Sequence, residues 1–331
     1  MPIGPLYQEK KDWRETRYEI HPIRKKRRRL AFLCLFSLLL LGFSLFFYPR
    51  IFGLFSDGQA VLVQPIINET PILAGYQNIT LKNQDLYQGS LVLVNRNYSC
   101  EKIGQGEHVC VYDQKTDSYP VSNKNVLLHR DVMDPLNRMM DAFYQNEGKT
   151  DILVTSGFRD YSHQEHLYQE ADDKAFVNQP EHSEHHTGYA LDLSLYNDVG
   201  ETYPYDGLGK YLWINQNCEQ YGFIVRYAEN KTTITGIGYE PWHLRYVGIP
   251  HASIMKAKDL ALEEYIPYLK DFQYGKQHLT YTVSTTTYEV YYIAATGDNT
   301  PIPVPANRPY WVSGNNVDGF VVTAEVDGRT Q

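Results

Sequence analysis

Cysteine is scarce, with four in 331 residues, too few and too scattered for a fold stapled by disulfides. Cys34 sits in an apolar run and Cys218 in a helical pattern, where a thiol packs as a small hydrophobe. Cys100 and Cys110 flank Gly104-Gln105-Gly106, a hairpin-like turn that could bring them into one bridge outside a membrane. A zinc site built on those two thiols is disfavoured, since it lacks a recognisable further pair of ligands nearby. No internal repeat is present. Positive charge is also short beyond the first 29 residues, which carry ten Lys/Arg against four Asp/Glu. That N-terminal piece holds +6, so a net charge of −8 leaves −14 for the remainder.

A long apolar run occurs at Leu30 to Tyr48, nineteen residues without Asp, Glu, Lys, Arg or His, close to the ~20 that span a hydrocarbon core. The basic run Arg24-Lys25-Lys26-Arg27-Arg28-Arg29 abuts it. Lys and Arg stay cytoplasmic, so the N-terminus is expected inside and everything after about Arg50 outside. No small-x-small cleavage site follows, which favours an uncleaved anchor over a signal peptide. The position of the basic run makes it a topology signal rather than a nucleic-acid contact.

What the chain does have is Ser183-Glu184-His185-His186-Thr187-Gly188-Tyr189-Ala190-Leu191-Asp192, answered by Glu240-Pro241-Trp242-His243. Two imidazoles and a carboxylate are a hydrolytic zinc set, with one position left for water and a spare carboxylate to take its proton. His185 and Asp192 are too far apart in sequence to share one strand face without a bend, and Gly188 is the residue free to make it. After the bend, Tyr189, Leu191, Leu193 and Leu195 alternate onto one face, which leaves Ala190, Asp192 and Ser194 on the site face. Trp242 to Val247 has strand composition; His243 would point into the site, with Trp242 and Leu244 packing behind and Glu240 just ahead of the strand.

The pattern Ser-x-His-x-x-Gly-x-Ala-x-Asp followed by Glu-x-Trp-His resembles the VanY-type D-alanyl-D-alanine carboxypeptidases. These belong to the group that unites lysostaphin, D-Ala-D-Ala metallopeptidases and sonic hedgehog. The resemblance implies zinc ligands at His185, Asp192 and His243, with Glu240 as general base. It continues at Ser156-Gly157-Phe158-Arg159, at Gln164, through Tyr221 to Tyr227 and through Ile234 to Tyr239, covering about Val126 to Leu262. Two departures stand out: His186 where relatives usually carry Gln, and Asp160 where they carry Ser or Thr. Asp160 still serves as a cap for a helix from Tyr161 to about Asp172, with Ser162 and Glu165 as an alternative capping box. His186 adds a titratable group beside a ligand.

Other residues have competing readings. Arg159 is either a salt-bridge partner or the bidentate donor that a terminal carboxylate needs, and Gln164 lies close enough along the chain to converge with it. Ser183 either bonds substrate or shapes its loop, and Trp242 reads as packing. His163, His166, His182 and His251 read as surface or second-shell histidines.

The expected architecture is α+β, helices flanking an antiparallel sheet that carries the zinc, with an N-terminal transmembrane helix and a small C-terminal β module. Its expected parts are a cytoplasmic basic tail (1–29), an anchor (30–49), a stalk with leader strands such as Gly89 to Asn95 (50–124), a zinc carboxypeptidase domain (125–265) and the β module (266–331). Within the enzyme part, residues 129–146 read as a helix with Val132, Leu136, Met139, Met140 and Phe143 inward. Lys210 to Tyr221 reads as a second, burying Leu212, Trp213 and Cys218, and Ile254 to Tyr265 as a third. In the tail, Pro301-Ile-Pro-Val-Pro305 and Asp318-Gly319 read as turns between strands. The expected activity is removal of the C-terminal D-alanine from peptidoglycan stem peptides by a membrane-anchored, extracellular zinc enzyme. L,D-specificity, a wall endopeptidase and a silent wall-binding module are the alternatives.

Overall fold

The computed structural model describes residues 72–326 apart from 173, 175, 176 and 198. The expected tail and anchor (1–49) lie outside these, and among the described residues no helix is long and apolar enough to cross a membrane.

A short antiparallel pair, β2 (His108–Cys110) with β3 (Leu127–His129), precedes a central five-stranded antiparallel sheet in the order β4 (Ile152–Ser156), β5 (Ala190–Tyr196), β8 (Glu240–Tyr246), β7 (Phe223–Tyr227), with β6 (Thr202–Pro204) also on β5. Helix α1 (Arg130–Glu147) covers one face. Its Val132, Leu136, Met139, Met140 and Phe143 are fully buried with Val154, Leu191, Leu193 and Leu244, as the helical spacing requires. Burying each such side chain is worth about 1.5–3 kcal/mol. Helix α2 (Tyr161–Glu170) starts at Asp160, whose carboxylate accepts from the His163 N–H at 2.8 Å; the Ser162 hydroxyl donates to the same oxygen atom.

The second expected helix is fragmented: α3 (Leu212–Asn217) lies between two 3-10 turns, Gly209–Tyr211 and Cys218–Tyr221. Ile214 rather than Leu212 fills its buried position, and Leu212 is 41% exposed. The third is two helices, α4 (Ile249–Lys258) and α5 (Leu262–Leu269), separated where Asp259 takes a left-handed φ of 50°.

A four-stranded antiparallel sheet follows, in the order β12 (Tyr310–Gly314), β13 (Gly319–Val326), β10 (Thr286–Ala294), β9 (Leu279–Val283). Its Val290, Tyr292 and Val321 share a core with Ile254, Met255, Leu262 and Ile266 of α4 and α5. The proline-rich segment corrects the turn reading. It forms strand β11 (Asn299–Pro305), paired antiparallel with β1 (Tyr76–Lys82) and, among the described residues, with no strand on its other side. Prolines at every second position put their missing N–H groups on the open side of an edge strand, while Ile302 and Val304 are buried. Gly89 to Asn95 is likewise not a ladder strand. Leu91 to Val94 run buried, and neighbouring residues satisfy the backbone: Arg245 donates to the Ser90 and Val92 carbonyls, and Asn316 to that of Leu93. The cysteine bridge does not form. Cys100 and Cys110 are free, and the Cys110 thiol instead faces the Lys124 carbonyl.

Candidate metal and catalytic site

The β5–β8 register sets Asp192 directly opposite His243, so both side chains leave the sheet on one face. His243 Nδ1 lies 3.1 Å from Asp192 Oδ1. His185 arrives from a 3-10 turn, Glu184–Thr187, which ends at Gly188 with φ 73°. A Cβ at that glycine would meet His108 Nε2 at 2.3 Å, so both the backbone angle and the space demand glycine there. The turn delivers His185 Nε2 to 3.2 Å from Asp192 Oδ2. One ligand atom from each of the three residues lies within 4.8 Å of the others.

Glu240 joins them through an irregularity. Residues three apart on an unbroken strand point to opposite faces. Between β7 and β8 the register jumps from Val225↔Leu244 to Tyr227↔Glu240, four residues passing against two, and this bulge returns Glu240 to the side of His243. Glu240 is the first residue of β8 rather than ahead of it, 5% exposed, with Oε2 3.8 Å from His243 Nδ1. Burial pushes its carboxyl up to about 7, against the pull of His243 and with the push of Asp192.

On the other flank, β4 carries one extra residue between Val154↔Leu193 and Ser156↔Asp192. The chain leaving it bears Arg159, whose Nε donates to Ser156 Oγ at 3.0 Å and whose Nη2 pairs with Asp192. Its Nη1 faces Gln164 Oε1 at 3.4 Å, so Arg159 and Gln164 do converge. Gln164 is only 1% exposed and is anchored by donating to the Asn178 carbonyl. Arg159, Gln164, Ser183, His185, Asp192, Glu240 and His243 all line one cleft of about 420 Å³. Trp242 belongs to its wall as well as to the core behind.

The donor set fits a divalent metal by its own chemistry. His185 Nδ1 sits 2.6 Å from the Gly157 carbonyl, which only accepts, so Nδ1 carries the proton. Burial, followed by the nearby Arg159 charge, lowers this imidazole to about 4, so it is neutral at pH 7. Its Nε2 lone pair therefore confronts the Asp192 carboxylate with no hydrogen-bond partner of its own. Two acceptors held this close in a buried site call for a cation between them. His243 reports the same field: burial opposes its charge, yet Asp192, Glu184 and Glu240 raise it to about 9.

His186 is a fastener. Its Nδ1 meets the Arg159 carbonyl at 2.7 Å and its Nε2 accepts from the Glu181 N–H at 3.1 Å, which engages both nitrogens. His182 bonds the Asn95 carbonyl and His166 pairs with Glu170 on the surface. His251 is neither surface nor second-shell; it is buried between Tyr265 and Thr323. Sequence reasoning passed over four neighbours of the site. Tyr227 sets its ring 4.9 Å from that of His243 and lines the cleft. Glu184 is fully buried between Arg226 and Arg245. Burial would raise the Glu184 carboxyl, but the two arginines win and hold it well below the usual range. The one available signal was alternation: Arg245 follows His243 by two residues and shares its face.

Residues 125–249 match the model of the VanY family, described as D-alanyl-D-alanine carboxypeptidase. A D-alanyl-D-alanine carboxypeptidase of Enterococcus faecium is 36% identical over 250 residues, 75% of this chain and 78% of that protein. The chain belongs to the VanY family of D-alanyl-D-alanine carboxypeptidases. The bifunctional D-Ala-D-Ala dipeptidase and D-Ala-D-Ala carboxypeptidase VanXYC of Enterococcus gallinarum is 34% identical, across 54% of this chain and 95% of that protein. Among solved structures, the vancomycin resistance D,D-dipeptidase VanXYg in complex with a D-Ala-D-Ala phosphinate analog superposes with a TM-score of 0.67. It is 32% identical and covers 76% of this chain and 99% of that one. The family span contains all nine cleft residues named above, so in this VanY-family enzyme the match and the geometry fall on the same place.

Proposed function

We propose that this enzyme is a zinc D,D-carboxypeptidase that removes the terminal D-alanine from peptidoglycan stem peptides, anchored by residues 30–49 with its catalytic part outside the cell. The observation that carries the reading is the convergence of His185, Asp192 and His243 with a buried carboxylate, Glu240, in a cleft that Arg159 also lines, its guanidinium beside Asp192. His185 through Nε2, Asp192, and His243 through Nδ1 would hold the metal. A bound zinc supplies Lewis acidity toward the scissile carbonyl and a water of lowered pKa.

Glu240 accepts the proton of the attacking water and delivers it to the departing amine. A carboxylate poised near neutrality by burial suits both transfers. Arg159 balances Asp192 in this structure. Its guanidinium would fork the terminal carboxylate of the substrate, with Gln164 beside it and Ser183 lining the same cleft. An exopeptidase outcome follows from where that clamp sits.

Hydrolysis of free D-Ala-D-Ala is a second reading, favoured by the likeness to a D,D-dipeptidase along 99% of its chain. One assay separates the two: the full chain is offered a stem pentapeptide ending in D-Ala-D-Ala and, separately, the free dipeptide. Release of D-alanine from the pentapeptide supports the carboxypeptidase, and release from the dipeptide alone would replace it. Protease added outside intact protoplasts tests the topology; a fully protected catalytic part would contradict the anchored, extracellular placement.

A further inference from the structure

Glu184 is the most deeply buried acid beside the site, 1% exposed, and no step above uses it. One of its oxygens is fully committed. Oε1 accepts from Arg226 Nε at 2.7 Å and lies 2.9 Å from Arg245 Nη1. Arg226 is held in turn by both oxygens of Glu263, at 2.6 and 2.9 Å, in the first turn of α5. Among the described residues the other oxygen, Oε2, has no hydrogen-bond partner; it lies 3.8 Å from His243 Nε2, an equally buried nitrogen that is likewise unpartnered there. The opposite nitrogen of that ring faces Asp192 at 3.1 Å and Glu240 at 3.8 Å.

We infer that Glu184 is a positioning residue: it takes the Nε2–H of His243 and so presents the Nδ1 lone pair toward Asp192 and the metal. The inference rests on the metal-holding role proposed for His243. A buried carboxylate is expensive unless paired, and two arginines against one of its oxygens pair it and hold it in place. That leaves Oε2 a single direction in which to act. Closing the gap to an ordinary hydrogen bond takes a ring movement on the order of 1 Å. The two histidines of the set are thus locked in opposite senses: His185 by a backbone carbonyl on Nδ1, His243 by a carboxylate on Nε2. A neutral imidazole with the wrong nitrogen protonated has no lone pair for the metal.

The test is Glu184→Gln in the full chain. The amide keeps its volume and an oxygen for the arginines, but turns an NH2 toward His243 Nε2 and so favours the other tautomer. Zinc affinity by chelator competition should weaken about 10–100-fold, the usual cost of losing such an outer partner. Turnover should return as zinc is raised to saturation, and Glu184→Asp should restore part of the affinity. A folded Glu184→Gln chain with wild-type zinc affinity overturns the inference while leaving the metal site standing. A wild-type chain that binds no zinc overturns both. Should Glu184→Gln fail to fold, ¹⁵N-histidine spectra of the zinc-loaded wild type decide. His243 protonated at Nε2 and His185 at Nδ1 is the expected pair, and His243 protonated at Nδ1 refutes it.

Discussion

Replacing Gly188 by alanine tests how the bend between two ligands is built. Gly188 has φ 73°, and a left-handed angle costs an L-residue roughly 1–2 kcal/mol. The new methyl would also stand 2.3 Å from His108 Nε2 and 3.2 Å from the His129 backbone nitrogen. His108 packs against Phe158 at 4.5 Å and has little freedom to withdraw, so overpacking adds about 1–3 kcal/mol. The sum, about 2–5 kcal/mol, corresponds to a fall in Tm of roughly 5–15 °C for a domain of this size. Gly148 is the control. It has a similar φ of 63° after α1, nothing lies within 4 Å of its would-be Cβ, and Gly148→Ala should lose only the backbone share, about 1–2 kcal/mol. Thermal melts of both variants, with zinc affinity measured alongside, give the comparison. Gly188→Ala should also weaken zinc, because the turn carrying His185 must shift, whereas Gly148→Ala should not. Equal melting points for the two variants, with unchanged zinc affinity, would refute the reasoning.

Three further outcomes follow from the same contacts. Glu240→Gln should retain zinc and substrate binding yet lose about 10²–10⁴-fold in kcat, read by steady-state kinetics; wild-type turnover would move the base elsewhere. Arg159→Ala should lower kcat/KM roughly 10–100-fold at full zinc occupancy, and a C-terminally amidated peptide should be cut poorly and show no such dependence, as checked by comparing both peptides. In the second sheet, Glu289 accepts from Tyr76, His278 and Arg308, and these bonds outweigh burial to hold its carboxyl at about 2. A folded value below the unfolded one, near 4.3, gives stability that is complete above that pH and fades as pH falls toward 2. Melting curves of Glu289→Gln should therefore lie below wild type at pH 7, by about 1–3 kcal/mol, and converge with it near pH 2.

The convergence of His185 with Asp192 was legible because its information is local. His185, Gly188 and Asp192 lie within one short stretch, and Asp160 caps the helix that follows Arg159. Burial of Val132, Leu136, Met139, Met140 and Phe143 was legible for the same reason, a period that depends on one helix alone. The misread segments are those whose fate depends on distant partners. Proline reads as a turn from its own backbone, but β1, more than two hundred residues upstream, recruits Pro301 to Pro305 as an edge strand. Leu91 to Val94 have strand composition, yet an arginine and an asparagine take the hydrogen bonds a neighbouring strand would have taken. Glu184 stayed silent because its meaning needs Arg226 from β7, Arg245 from β8 and Glu263 from α5 at once. The bulge that turns Glu240 toward His243 has no marker in the residues themselves.

Metal content of the purified full chain tests the central claim most directly, measured on wild type beside His185→Ala, His243→Ala and Glu240→Gln. About one zinc per chain is expected in wild type and in Glu240→Gln, and loss in either histidine variant, since two protein ligands hold zinc poorly. A wild-type chain that takes up no zinc, or a Glu240→Gln chain that loses it, would contradict the assignment of ligands and base.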